Sequence, residues 1–390
     1  MRDDWPVSHL GEAVELGKGG SWGADSPAPG LKEAFCLRGT DLAELINGKR
    51  PDAPRRWLKQ SELSKSQCKP DMVLIETSGS KCGRSLVLTT EMLAQFELPV
   101  VYSNFCRTLK IDTSKLSSSY AELWFSHNYW NGVIPSYRAT SAMPNLDVKS
   151  LLRMETLLIP PLEVQQRIVD LASSVDSYIA ALQQQADAAR VARSAVLSEL
   201  LSAGGEDWIE MTIESFARLV PGKYIPKSKY EENGSYFIYG SNSVMGKYST
   251  ALIDVPHVVM AAIGAYAGAV RYSSQPSWVN NNAFGLVTND NVDPFFFYLW
   301  LEQCLDLRQV VVGTGQPYVQ RPALKNTVVN VPPVKEQRRI VDIVSSLDEV
   351  FSSTERAIIE AKRLRSGLLS DLLSGHHEIP ESYDQLLGAA

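Results

Sequence analysis

Two groups of side chains in this sequence have the chemistry to contact nucleic acid. Glycine, cationic, tyrosine and amide residues recur in short stretches of each half of the chain. Phosphates bind Lys, Arg and backbone N–H groups, while base edges bind Arg, Asn and Gln. Ordinary turns with solvated cations are the alternative interpretation. The DNA-contact candidates are Ser78, Ser80, Lys81, Arg84, Arg107 and Arg138, then Lys223, Lys227, Tyr266, Arg271, Asn281, Asn282, Gln316, Tyr318 and Arg321.

No catalytic or metal-binding motif is complete. The sequence GKGGSWG (17–23) has Trp22 where a dinucleotide fingerprint needs its third glycine, and no GxxxxGK[ST] occurs. Asp71 and Glu76 resemble part of a nuclease metal site, but Ser78 stands where such a site needs lysine. The five histidines lack ligand spacing, and no two of the five cysteines form a C-x-x-C pair. We predict no catalytic residue and no metal site.

An internal repeat shows which elements must position the candidate loops. Residues 158–203 and 330–375 match without a gap at an offset of 172 residues. Both copies begin with Pro-Pro, a favourable helix start, and end near Gly204 or Gly375, a favourable helix end. In between, apolar residues alternate at spacings of three and four, with Arg193 and Arg365 interrupting the two copies at equivalent places. This seam predicts an antiparallel coiled coil of two long helices.

The apolar positions of the two seams are predicted residue by residue. The first copy gives Ile168, Ala172, Val175, Ile179, Leu182, Ala186, Ala189, Val196 and Leu200, and the second gives Ile340, Val344, Leu347, Phe351, Ile358, Ala361, Leu368 and Leu372.

The segments that precede the helices repeat more weakly. The sequence PDMVLIETSGSKCG (70–83) aligns with VPHVVMAAIGAYAG (255–268), which places Gly79 on Gly264, and Asn104 then falls near Asn282. TSAMPNL (140–146) resembles GTGQPYV (313–319). The first segment is longer, and we interpret the Pro- and Gly-rich stretch 17–60 as its insertion.

Each preceding segment is predicted to be an α/β domain. Alternating and β-branched runs predict strands at Met72–Glu76, Val100–Tyr102, Tyr236–Tyr239, Val258–Ala262 and Phe284–Thr288, and helices are expected at Ser119–Tyr129 and Phe295–Leu305. The predicted fold is therefore α/β, with two such domains joined by two long helices and a pseudo-twofold internal repeat.

These motifs resemble the specificity subunit of a type I restriction-modification system. The strongest carriers are PPLEVQQRIVD (160–170) and PPVKEQRRIVD (332–342), which are similar to the P-P-x-x-E-Q-x-x-I pattern of the family's conserved regions. The first copy departs from it, with Val164-Gln165 where the second has Glu336-Gln337. The resemblance divides the chain into target-recognition domain 1 (1–157), conserved helix 1 (158–207), target-recognition domain 2 (208–329), conserved helix 2 (330–375) and a polar C-terminal tail (376–390).

The resemblance also implies a function and partners. The two domains would each read half of a bipartite, asymmetric site in double-stranded DNA, and the helices would set the half-site spacing. The helices would also dock two modification methyltransferase subunits, which carry S-adenosylmethionine, and restriction motor-nuclease subunits with ATP and Mg would join. This chain itself is expected to hold no cofactor. The docking candidates are Gln165, Arg167, Arg193, Gln337, Arg339 and Arg365.

The charge distribution is compatible with this interpretation. The net charge is −6, and the acidity lies in 158–207 (3 basic against 7 acidic residues) and 330–390 (7 against 10). The remaining segments are near neutral, so local basic clusters could face phosphates. No run approaches the about 18 apolar residues of a membrane span, and a cytoplasmic prokaryotic protein is expected. The alternatives are a scaffold or decoy subunit that assembles partners without reading DNA, and a nuclease or methyltransferase in its own right.

Overall fold

The computed structural model describes residues 5–140, 144–377, 379–380 and 382. Most of the predicted polar tail, 376–390, therefore lies outside the described residues. The chain forms two compact units, one of residues 1–181 with 358–390 and the other of residues 182–357. Each unit is an α/β domain together with one end of both long helices, which confirms the predicted fold class. In the part of the chain that the structure describes, no helix has the length and apolar character needed to cross a membrane.

The first unit contains two small sheets. Its strands are β1 (Val7–His9), β2 (Val14–Gly19), β3 (Leu31–Leu37), β4 (Arg55–Lys59), β5 (Val73–Glu76), β6 (Ser85–Val87), β7 (Val100–Tyr102), β8 (Cys106–Ile111) and β9 (Thr156–Leu158). Its helices are α1 (Gly39–Ile46), α2 (Gln60–Ser66), α3 (Thr90–Ala94), α4 (Ser118–Trp130), α5 (Val148–Met154) and the start of the long helix α6 (Leu162–Ser202). The sheet orders are β2-β8-β5-β6 and β4-β3-β7, and β1 pairs with β9.

The second unit repeats this plan. Its strands are β10 (Ile209–Thr212), β11 (Ala217–Pro221), β12 (Tyr236–Tyr239), β13 (Val244–Tyr248), β14 (His257–Ala261), β15 (Val270–Ser273), β16 (Ser277–Val279), β17 (Ala283–Thr288), β18 (Val311–Val312), β19 (Tyr318–Val319) and β20 (Val328–Val331). Its helices are α7 (Ile213–Phe216), α8 (Pro294–Cys304), α9 (Leu307–Val310), α10 (Arg321–Asn326) and the start of the long helix α11 (Val334–Leu373). The orders β11-β17-β14-β15 and β13-β12-β16 match those of the first unit, as does the pair β10-β20.

Equivalent backbone hydrogen bonds confirm the weak repeat between the domains. The amide of Gly79 donates to the carbonyl of Pro144 over 2.9 Å, and the amide of Gly264 donates to that of Pro317 over 2.8 Å. Both glycines have positive φ, 120° and 91°, a region that side-chain-bearing residues avoid. Asn282 corresponds to Phe105, which accepts the equivalent amide bond and directly follows Asn104, so the predicted placement of Asn104 near Asn282 is confirmed.

The interpretation of 17–60 as one insertion is wrong. This stretch contains the end of β2 and all of β3 and β4, whose counterparts in the second unit are β11, β12 and β13. The additional residues of the first unit lie in the connection between β3 and β4, which contains α1. The equivalent strands β12 and β13 are joined by a short turn. The helices α2 and α3 are further additions. Composition could not separate these, because Gly and Pro mark strand ends and insertions alike.

The predicted seams hold the two long helices antiparallel within each unit. In the first unit, Ile168 and Ala172 of α6 share a core with Leu372 of α11, and in the second, Leu197 of α6 shares one with Ile340 of α11. The predicted register needs a correction near the helix ends. Leu197 and Leu369 are fully buried, while the predicted Leu200 and Leu368 are only half-buried. A straight helix has 3.6 residues per turn, so a strict heptad drifts off the buried face.

Alanine substitutions in this seam test how much it contributes to the free energy of unfolding. We expect Leu197→Ala and Ile340→Ala each to lower the free energy of unfolding by about 2–5 kcal/mol, because each leaves a cavity in the core. The matched control Val191→Ala, on an exposed position of the same helix, should change it by less than about 0.5 kcal/mol. Urea denaturation followed by circular dichroism measures both. Equal effects at Leu197 and Val191 would contradict the assigned seam.

Candidate nucleic-acid interface

Three loops of the second unit form one groove of about 720 Å³. Main-chain hydrogen bonds hold the loops together, because Ala262 donates to the carbonyl of Asn282 over 2.8 Å and accepts from the amide of Val319 over 2.9 Å. The groove is lined by Ala262, Ile263, Asn281, Tyr318, Val319, Gln320, Arg321 and Pro322. The structure therefore brings the predicted Asn281 together with the predicted Tyr318 and Arg321, which are far from it in sequence.

The polar side chains of this groove are oriented by their neighbours. Asn280 is buried, and its Oδ1 accepts from the amide of Asn281 over 2.6 Å, which shapes the turn that exposes Asn281 and Asn282. The guanidinium of Arg321, at the first position of α10, lies 5.6 Å from the ring centroid of Phe284. This cation–π contact restricts the arginine while its N–H groups stay available. Tyr266 and Gln316 are exposed on the adjoining loops.

The other predicted cations of the second unit do not line this groove. The exposed Lys223 is tied through its amide to the carbonyl of Val279, over 2.9 Å, so it adjoins the asparagine turn. Arg271 is half-buried and donates to the carbonyl of Ser241 over 3.3 Å, toward the β12–β13 turn. The exposed Lys227 is on a separate helical turn, Lys227–Lys229.

The first unit builds the equivalent loop frame with different side chains. Ser78 Oγ donates to Asn145 Oδ1, and Arg138 Nε donates to the carbonyl of Cys82 over 2.8 Å. Ser80 and Lys81 are exposed on the same loop. Four predicted residues are thus brought together. The predicted match at TSAMPNL includes 141–143, which lie outside the described residues.

Arg84 is not available for a phosphate, so this candidate is corrected. Its guanidinium donates twice to Glu76 Oε2, over 2.9 and 2.7 Å, and once to the carbonyl of Gly39, over 2.9 Å. The two charged side chains are only 10% and 5% exposed. A buried arginine must be paired because desolvation of a lone charge is costly, and the pair gives Glu76 a structural role. Arg107 is partly committed as well, since its Nε donates to the carbonyl of Gly17 over 3.0 Å.

Two exposed features beside these loops were missed in the sequence. The turn before and within β13 exposes Asn242 to Met245, next to Arg271 and the asparagine turn. In the first unit, Trp130 is 78% exposed at the end of α4, and its neighbour Tyr129 donates to the carbonyl of Lys81. A large exposed apolar side chain is informative only when its exposure is known, and sequence does not provide that.

Two of the docking candidates are also corrected. Gln165 and Gln337 are fully buried, and their amides hydrogen bond within their own units. They cannot face a partner subunit in this structure. Arg167 is half-exposed, and Arg339 is exposed in a pair with Glu336 at 2.7 Å, so these two remain candidates.

The arginines that interrupt the seams form ion pairs between the long helices. Arg193 bonds to Asp348 and also to Glu302 of α8, at 3.1 Å, within the second unit. Arg365 bonds to Asp176 within the first unit. The two Arg–Asp pairs are equivalent under the 172-residue repeat. The arginine side chains are 19% and 24% exposed and their aspartate partners 36% and 48%, so these two candidates are committed to pairing with the other long helix.

A carboxylic acid next to one of these pairs has a perturbed pKa. Burial raises the pKa of Glu122, on α4, to about 7, with the charge of Asp176 adding to the rise and that of Arg365 opposing it. In the described part of the chain, no three His, Cys, Asp or Glu side chains are placed to hold a metal ion.

Comparisons with known proteins agree with this architecture. Residues 205–363 match the family model described as type I restriction modification DNA specificity domain. The type I restriction enzyme MjaVIII specificity subunit of Methanocaldococcus jannaschii is 21% identical over 294 residues, which cover 65% of this chain and 69% of that protein. The chain is thus similar, over part of its length, to type I restriction enzyme specificity subunits.

Two solved structures share the fold of this chain. The S subunit of a type I restriction-modification system from M. genitalium is 16% identical, with a TM-score of 0.61 over 97% of this chain and 98% of that one. A chain from a structure of type I R-M system assembly and conformational transition is 12% identical, with a TM-score of 0.63 over 95% and 98% of the two chains. At these identities the likeness is one of fold.

The perturbed carboxyl gives a pH-dependent prediction. The folded-state pKa of Glu122, about 7, exceeds its ordinary 4.5, so its stabilising contribution is complete below pH 4.5 and is lost as the pH rises through 7. Glu122→Gln keeps the site neutral, so we expect the variant to match the wild type near pH 5 and to exceed it by ~1–3 kcal/mol at pH 8. Thermal unfolding from pH 5 to 9 measures this, with the exposed Glu44→Gln as control. A constant difference across that range would contradict the assignment.

Proposed function

We propose that this chain is the DNA sequence-recognition subunit of a type I restriction-modification complex. Its target-recognition domains, 1–157 and 208–329, each read one half of a bipartite, asymmetric site in double-stranded DNA. The observation that carries the proposal is the loop frame that is built twice, with Gly79–Pro144 and Gly264–Pro317 as equivalent bonds. The same frame presents different side chains, which is what two readers of different half-sites require.

The groove of the second unit has the groups that direct base reading uses. An amide such as that of Asn281 pairs with adenine through one donor and one acceptor, and a guanidinium such as that of Arg321 pairs with guanine. The cation–π contact with Phe284 already restricts the Arg321 side chain, so Arg321 loses less conformational entropy when it binds DNA. Lys223, Lys227 and, in the first unit, Lys81 are exposed cations that fit phosphate contacts.

The long helices would set the half-site spacing and dock two methyltransferase subunits. The Arg193–Asp348 and Arg365–Asp176 pairs support a fixed helix register. Large apolar side chains remain exposed on both helices, namely Tyr178, Val191, Ile359 and Leu364, at 58–67%. Exposed apolar residues in number mark protein contacts. In this proposal S-adenosylmethionine, ATP and Mg belong to the methyltransferase and motor-nuclease partners in a prokaryotic cytoplasm.

Co-expression with the methyltransferase encoded beside this chain tests the proposal. Mapping N6-methyladenine across the host genome by single-molecule sequencing should reveal a split motif, two short specific runs around a fixed gap. No new methylation, despite a stable purified complex, would overturn it in favour of a scaffold or decoy subunit.

Single substitutions should alter one half of that motif. We expect Asn281→Ala or Arg321→Ala to relax one position of the second half-site by about 1–3 kcal/mol, roughly 5- to 150-fold, with the first half-site unchanged. Matched controls in the same unit are the exposed Asn326→Ala and Arg308→Ala, which lie outside the groove. The methylome of each variant gives the preference at every position. Equal relaxation by the controls would remove these two residues from base reading.

A further inference from the structure

The first turn of α6 contains a glutamine whose amide has no exposed surface. Gln165 Oε1 accepts from the amide of Ser117 over 2.8 Å. Its Nε2 donates to the carbonyls of Lys115 and Pro160, each over 2.8 Å. Both N–H groups and the oxygen are therefore satisfied, so burial leaves no polar group unpaired.

The first turn of α11 repeats this arrangement atom for atom. Gln337 Oε1 accepts from the amide of Asp293 over 2.7 Å, and Nε2 donates to the carbonyls of Asn291 and Pro332 over 2.9 and 2.8 Å. One of these carbonyls precedes the long helix itself, and the other two groups belong to the recognition domain. Each amide thus joins a long helix to the domain that lies before it in sequence.

The domain side of this joint is the start of an internal helix. Ser117 is the N-cap of α4, its Oγ accepting from Tyr120, and Asp293 is the N-cap of α8, its Oδ1 accepting from Phe295 and Phe296. The glutamine oxygen accepts the hydrogen bond of the N-cap residue's own amide, whereas the side chain of that N-cap residue accepts from amides further along the helix. The direction of each internal helix is therefore tied to that of the long helix.

Only a glutamine can make these three bonds from this position. A glutamate would present acceptors to two carbonyl oxygens, and an apolar residue would leave one N–H and two carbonyls unpaired. Both domains also contact their helices through apolar side chains, such as Ile168 in the first unit and Ile340 in the second. Apolar burial is non-directional, so it holds the domain on the helix without fixing its angle. The amide supplies the directional part.

We propose that Gln165 and Gln337 are positioning residues that fix the orientation of each recognition domain on its long helix. They thereby set how strictly the spacing between half-sites is enforced. This inference rests on the proposed function, since it concerns the gap of the split motif. The two glutamines would then determine the half-site spacing in addition to the length of the long helices, without belonging to the loops that read the bases.

Isosteric replacement in the assembled complex tests the proposal. Gln165→Glu and Gln337→Glu are each co-expressed with the adjacent methyltransferase, and methylation is compared at motifs with the wild-type gap and with gaps one base pair shorter or longer. We expect unchanged half-site letters, with the preference for the wild-type gap reduced at least tenfold. The matched control is Gln166→Glu, an exposed neighbour, whose gap preference should equal that of the wild type.

Every outcome decides the question. An unrelaxed gap in both variants, with methylation retained, overturns the proposal while leaving the recognition function intact. If a glutamate variant is inactive, Gln165→Met and Gln337→Met, which keep the length without the charge, are measured in its place. Inactive or unfolded methionine variants would also overturn it, because the apolar contacts should be sufficient to hold the domains. Failure of the wild type to give any split motif would instead remove the proposed function itself.

Discussion

One constraint recurs at the first turn of each long helix, where a side-chain amide is fully buried. Taking an amide out of water is unfavourable unless each of its donors and acceptors is paired. Gln165 and Gln337 meet this condition with the same three backbone groups in both units. These bonds link the start of the internal helix to the start of the long helix.

The candidate DNA-reading loops of the two domains have the same backbone arrangement but different side chains. The Gly79–Pro144 and Gly264–Pro317 bonds hold equivalent loops, yet the side chains on them differ in availability. In the first unit Arg84 is bonded to Glu76, whereas in the second the guanidinium of Arg321 lies 5.6 Å from the ring centroid of Phe284. The two domains also differ in the connection between their paired strands, where only the first contains α1. A backbone frame set by main-chain bonds tolerates such substitution because it does not use the side chains that change.

The sequence predicts the periodic features of this protein well and its individual polar partners poorly. Val100–Tyr102 and Tyr236–Tyr239 are strands with the predicted bounds, and the 172-residue repeat identifies both long helices. Those signals come from local periodicity, which burial on one face imposes. Gln165 and Arg84 look like surface residues in the sequence, and only the fold shows that their partners lie far away along the chain. A hydrogen-bond partner at long range leaves no periodic signal.

The seam arginines show why an apolar interface contains charges. Arg193 and Asp348 lose hydration where a leucine pair would gain free energy by burial, so the pair is a weak source of stability. It is, however, satisfied only when these two residues are opposite each other, and the equivalent pair Arg365–Asp176 imposes the same condition in the other unit. An apolar seam with a heptad repeat can slip by a heptad at modest cost, and a partly buried polar pair removes that freedom. For helices proposed to measure a gap in DNA, a unique register is worth more than the added stability of two leucines.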